Sequence, residues 1–123
     1  MSGRRVRALR GATTVEANEA EAILEATAEL LRALATENRL APAHLVSGTF
    51  TVTPDLTAAF PATAARQLGW RELPMLCATE IPVPGALARC IRVLLHVELP
   101  DEALPRHVYL RGATGLRPDL AYE

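Results

Sequence analysis

The segment Cys90 to Glu98 alternates strictly and carries apolar side chains on both of its faces. Ile91, Val93, Leu95 and Val97 point one way, and Cys90, Arg92, Leu94, His96 and Glu98 the other. A period of two makes this a β-strand. Apolar residues on both faces require cover on both sides. Arg92 is the anomaly within it. Its guanidinium emerges between Cys90 and Leu94, where a charge is costly unless it is paired or binds an anion. An ion pair with Glu98, on the same face, is one outcome; an anion site is the other.

The rest of the chain supplies the elements around this strand. Arg5 to Arg10 reads as a first strand ending at Gly11. Asn18 offers an N-cap with Glu21 three residues on, a relative of the capping box. Ile23, Thr27, Leu30, Leu31 and Leu34 then mark one face of a helix running to about Asn38, before Leu40-Ala-Pro42 stops it. Val46, Gly48, Phe50 and Val52 alternate with Ser47, Thr49 and Thr51 as a half-polar strand. Thr53-Pro54-Asp55 reads as a cap with proline at the first helical position, suited to a short helix or 3₁₀ turn. Phe60-Pro61 starts a further helix that Gly69 ends. Pro74 to Ala78 is a short strand, Ile81 to Gly85 a proline loop, and His107 to Arg111 the last strand. The count is about five strands and two or three helices, and the fold class is α+β.

At 123 residues the chain reads as a single domain spanning 1–123, of a size that buries roughly two thirds of its unfolded surface. No apolar run approaches the ~18 residues of a membrane span, and the opening Met1-Ser-Gly-Arg-Arg5 leads into no apolar signal core. A cytoplasmic location is expected. The net charge of −1 offers no general attraction to nucleic acid or membrane. All 13 basic residues are arginine, so no lysine can form a Schiff base or serve a Walker loop. Cys77 and Cys90 have no Cys-x-x-Cys spacing and read as reduced thiols. His44, His96 and His107 lack zinc-ligand spacing, so neither a metal nor an organic cofactor is expected.

Other residues have a plain reading and a functional one. Arg10, beside Gly11, is either a solvated charge like Arg4, Arg5 and Arg7 or an arm toward a ligand that the glycine lets approach. A basic arm for nucleic acid would need aromatic interleaving that is missing. Glu80 is a carboxylate at a strand end, before the proline loop. Tyr109 shares a face with His107 and Arg111, suited to packing with its hydroxyl at the rim. Cys77 lacks the surroundings of a nucleophile and reads as a small polar wall residue. Phe60 and Arg66 read as helix packing plus a surface arginine, and Leu116-Arg117-Pro118-Asp119 as a tail.

Taken in order, Arg10-Gly-Ala-Thr-Thr-Val-Glu16, Cys77-Ala-Thr-Glu80, Cys90-Ile-Arg92, Arg106-His-Val-Tyr109 and Leu116-Arg117-Pro-Asp119 closely resemble the monofunctional chorismate mutases of the AroH class. The resemblance runs from about Val6 to Leu120. It implies a homotrimer, a pseudo α/β barrel of mixed sheets flanked by helices, with sites in the clefts between subunits. It implies conversion of chorismate to prephenate in phenylalanine and tyrosine biosynthesis. Arg10 and Tyr109 would hold the carboxylate and nearby oxygens, and Arg92 would sit against the ether oxygen. Glu80, helped by Cys77, would bond the ring hydroxyl. Leu76, Cys77, Ala78, Thr79 and Glu80 would line the site, with Phe60 and Arg66 supplied by the neighbouring subunit. Leu116 and Arg117 fall in a mobile C-terminal tail, 114–123. Thr63 stands where relatives often carry lysine, and Ala78-Thr79 is smaller than usual.

The chemistry suits the inventory, since a concerted rearrangement needs neither a nucleophile nor a proton transfer. Two other readings fit the same fold. One is an enzyme like the trimeric imine deaminases, whose cleft arginine binds a carboxylate but whose motifs this chain lacks. The other is a non-catalytic trimer that binds a metabolite.

Overall fold

The computed structural model describes residues 3–116. In chain order the elements are β1 (Arg4–Thr14), α1 (Ala20–Asn38), β2 (Leu45–Val52), α2 (Ala62–Gln67), β3 (Met75–Thr79), β4 (Cys90–Pro100) and β5 (Val108–Tyr109). Single 3₁₀ turns occupy Pro42–His44 and Arg111–Ala113. The five strands form one mixed sheet in the order β3-β2-β4-β1-β5. β4 runs antiparallel to both β1 and β2, while β3 and β5 join the edges in parallel.

One face of this sheet carries the main core. Ile23, Ala26, Thr27, Leu30, Leu31 and Leu34 are the buried stripe of α1, which meets Leu9, Phe50, Ile91, Val93, Leu95 and Val97 of the sheet. α1 stops where Arg39 turns left-handed (φ 51°), donating its N–H to Ala35 and Thr36 carbonyls, with Pro42 closing off further helix. Gly11 lies beneath this helix. A Cβ there would come within 2.9 Å of Leu34 Cδ1 and 3.2 Å of both Leu30 and Val93. Its missing side chain makes room for α1, and β1 continues past it to Thr14.

Four local expectations change in the structure. Asn18 does not cap α1, whose N-cap is Glu19. Its Oδ1 instead accepts from Thr57 and Ala58 N–H groups, and its amide donates to Thr57 Oγ1, stapling a distant loop. Val46 does not share the buried face with Phe50, because a bulge between Leu45 and Ser47 shifts the register and leaves it exposed. Thr53-Pro54-Asp55 forms only a turn, held by Leu56 N–H on Thr53 O. The last strand shrinks to Val108–Tyr109, since Arg111 takes a positive φ of 53° and opens a 3₁₀ turn.

The second face of the sheet is largely open. A small cluster of Ala12, Cys90, Tyr109 and Ala113, joined by Leu87 and Leu116, covers one corner. Elsewhere Leu94 is 38% exposed and Leu76 73%. The described residues therefore supply the two-sided cover that β4 demands on one side and at one corner of the other.

Candidate active site

Strand register assembles the site on the open face. Ala78, Thr51, Arg92, Ala12 and Tyr109 pair successively across β3, β2, β4, β1 and β5, forming one row through the whole sheet. The adjacent row reads Leu76, Thr49, Leu94 and Arg10. Glu80 follows β3, two residues beyond Ala78, and so projects to the same face. Its N–H bonds Val52 O, which holds the strand end in register.

A cleft of about 450 Å³ opens here, lined by Arg10, Gly11, Ala12, Thr49, Thr51, Arg92, Val93, Leu94 and Tyr109. Arg92 and Glu80 meet at its wall, with Nε 2.9 Å from Oε2 and both side chains mostly buried. The same Oε2 accepts the Thr51 hydroxyl at 2.6 Å. Arg92 is thus paired with Glu80, not with Glu98, whose backbone oxygen takes Arg4 instead. The pairing is incomplete, however. Arg92 Nε–H points off the line to that oxygen and, among the described residues, is left without a hydrogen-bond acceptor, although the atom is buried. Tyr109 Oη is likewise buried without a partner among the described residues. Buried donors of this kind each cost free energy until something accepts from them.

Backbone contacts fix the neighbouring groups. Arg10 N–H donates to His107 Nδ1 at 2.9 Å, tying β1 to the approach to β5. Thr53 and Cys90 exchange bonds, with Thr53 N–H on Cys90 O and Cys90 N–H on Thr53 Oγ1, so β4 enters the site from an anchored start. The Cys90 thiol faces the Arg92 side. Burial pushes its pKa up to about 11, against the opposing pull of the Arg92 charge. It is therefore a neutral, buried group, not a thiolate competing for the guanidinium. Ser47 and His96 touch at 3.3 Å further along this face, but among the described residues no carboxylate orients the ring, so the pair lacks the third member of a triad.

Other sequence-selected residues gather elsewhere. Cys77 pairs with Phe50 and packs toward the helical core, on the opposite face from Arg92. It lines a separate hollow of about 410 Å³ at the β3 edge with Phe60, Ala78, Thr79 and Val52. Phe60 is 70% exposed, and Arg66, in the last turn of α2, is also exposed. One chain therefore brings together Arg10, Glu80, Arg92 and Tyr109, but not Phe60, Arg66 or Cys77 with them. Leu116 packs beside Tyr109 and Ala113, at the margin of the cleft. Arg117 and the remainder of the tail lie outside the described residues. Among those described, no cluster of histidine, cysteine or carboxylate side chains could hold a metal ion, and no helix is long and apolar enough to cross a membrane. Both cysteines are free thiols. Thr51 is the residue that sequence reading passed over, because its bond to Glu80 depends on the pairing of β2 with β3.

The cleft thus gathers two arginines, a carboxylate and a phenol, a lining suited to a small, polar, anionic molecule. Residues 6–120 match the family described as chorismate mutase type I, and the chain belongs to that family. It is 52% identical over 118 residues to a chorismate mutase of Thermus thermophilus, covering 94% of this chain and 96% of that one. It is 44% identical over 119 residues to a chorismate mutase of Bacillus subtilis (strain 168), covering 94% and 93%. A solved chorismate mutase from Clostridium thermocellum superposes with a TM-score of 0.83 at 49% identity, covering 87% of this chain and 96% of that one.

Proposed function

We propose that this protein is a chorismate mutase that rearranges chorismate to prephenate through restraint and electrostatic stabilisation, with no covalent intermediate. The observation that carries this is the pair of buried, unpartnered donors, Arg92 Nε–H and Tyr109 O–H, in a cleft that Arg10 also lines. In the reaction an ether C–O bond breaks as a C–C bond forms, and electron density builds on the ether oxygen. Arg92 supplies fixed positive charge at that oxygen, and the half-buried setting strengthens it relative to water. Arg10 and Tyr109 hold carboxylate oxygens, and Glu80 accepts from the ring hydroxyl. Together they keep the enolpyruvyl arm over the ring, removing entropy from the barrier.

The working unit in this reading is a homotrimer in the cytoplasm, each site completed by Phe60, Arg66 and the β3 segment around Cys77 of a neighbouring chain. The separation of these residues from Arg92 within one chain supports that arrangement, as does the uncovered sheet face around Leu94. Leu116, packed beside Tyr109 and Ala113, borders the mouth. No metal or cofactor takes part.

The test is direct. Purified protein with chorismate and a chelator should consume the chorismate absorbance and yield prephenate. A rate no faster than the uncatalysed reaction, or one that requires a divalent metal, would reject the proposal.

A further inference from the structure

We infer that Thr51 is a positioning residue for the reaction: its hydroxyl fixes the orientation of the Glu80 carboxylate beside Arg92, so that both face the ligand. The inference rests on the chorismate mutase reading above. Thr51 sits between the two partners, paired with Ala78 on β3 and with Arg92 on β4. Its Oγ1 donates to Glu80 Oε2 at 2.6 Å, the same oxygen that Arg92 Nε approaches at 2.9 Å. Short bonds from a hydroxyl to a carboxylate are charge-assisted and directional. Here the hydroxyl and the guanidinium meet on one oxygen, and the directional hydroxyl bond fixes how the carboxylate is turned relative to Arg92.

The consequence is visible in the pair itself. Arg92 is close enough to Glu80 for ion pairing, yet its Nε–H finds no acceptor. Guanidinium and carboxylate left to themselves adopt two parallel N–H···O bonds, a fork that would turn Arg92's charge toward Glu80 and away from the cleft. Among the described residues that fork is absent: the carboxylate that Thr51 holds meets Arg92 only as an ion pair through Oε2. Among the described residues Oε1 has no hydrogen-bonding partner and remains open to a ligand hydroxyl. Thr51 therefore sets how much of the Arg92 charge is directed at the ligand.

The test compares Thr51→Val with Thr51→Ser. Valine keeps the shape and the β-branching but lacks the hydroxyl; serine keeps the hydroxyl but favours the strand less. A purely structural role for Thr51 would make serine the worse replacement. The inference predicts the opposite. Thr51→Val should lower kcat by roughly tenfold or more with a smaller change in KM, while Thr51→Ser stays within about threefold of wild type. Prephenate affinity, measured calorimetrically, provides a second readout that needs no turnover. Thr51→Val should weaken it in the wild-type background and leave it unchanged in a Glu80→Ala background, since Thr51 acts through Glu80. Thr51→Val with wild-type kcat, Thr51→Ser as impaired as Thr51→Val, or an undiminished effect of Thr51→Val in Glu80→Ala would overturn the inference. Wild-type protein that neither turns over chorismate nor binds prephenate would instead overturn the reading beneath it.

Discussion

Thr13 offers a clean measure of how the core under α1 is packed. It pairs with Ile91 in β1, is fully buried on the helical face of the sheet, and its Oγ1 has no hydrogen-bond partner. A hydroxyl taken from water and left unbonded costs about 1–3 kcal/mol. Valine has nearly the same shape, loses only the polar atom, and suits a central strand at least as well. Thr13→Val should therefore stabilise the fold by about 1–2 kcal/mol, the lower part of that range, because the methyl that replaces oxygen is slightly larger. For a chain of this length that is a rise in Tm of about 3–5 °C per kcal/mol. Thr27 is the internal comparison: equally buried, but its hydroxyl donates to Ile23 O at 2.7 Å. Thr27→Val should bring no such gain. Thermal unfolding at one fixed protein concentration, with urea midpoints alongside, gives both values. Chorismate turnover should be unchanged in Thr13→Val, since position 13 faces away from Arg92. A Tm for Thr13→Val at or below wild type would show that the hydroxyl is satisfied and that this account of the core is wrong.

Two further predictions bear on assembly and pH. Mixing Arg66→Ala with Arg92→Ala chains should restore activity once subunits exchange, because some clefts then carry both arginines; proven exchange without recovery would place both in one chain's site. Asp55 is held below its ordinary pKa of 3.8, chiefly by the Thr53 hydroxyl, which outweighs the opposing effect of desolvation, with further help from the Arg89 N–H. A folded-state pKa below the unfolded one means stability that is present above about pH 3.8 and lost as pH falls through the lower folded value. Asp55 is exposed, so the effect is modest. Asp55→Asn should flatten the acid limb of the stability–pH curve, and an unchanged limb would remove Asp55 from it.

What the sequence made legible follows from where each signal resides. The α1 stripe from Ile23 to Leu34 and the alternation of β4 are properties of single elements, and both appear where periodicity places them. The half-polar strand through Phe50 was also legible, apart from Val46, because a bulge is a fact about two strands at once. Asn18 looked like a helix cap since capping is local; its actual partners, Thr57 and Ala58, are far along the chain. Arg92 was conspicuous for its apolar neighbours, but alternation could suggest only Glu98 as a partner, whereas Glu80 arrives from another strand. Gly11 was read against the residue beside it, Arg10, when its reason lies across the core at Leu34. Thr51 carried no signal of its own.

The central claim is that Arg92 acts on the transition state, and the most direct measurement is the division of its contribution between kcat and KM. Replacing Arg92 with glutamine removes the charge while keeping a polar side chain. Loss of one preorganised donor costs ~3–4 kcal/mol, or roughly 10²–10³ in rate, and removal of a full charge should cost at least that. Arg92→Lys should recover only part, because an ammonium cannot reproduce the guanidinium geometry. Steady-state kinetics with chorismate should show the loss chiefly in kcat, whereas Arg10→Ala should chiefly raise KM. If Arg92→Gln keeps the wild-type kcat and only KM rises, Arg92 is a carboxylate anchor and the electrostatic account is contradicted.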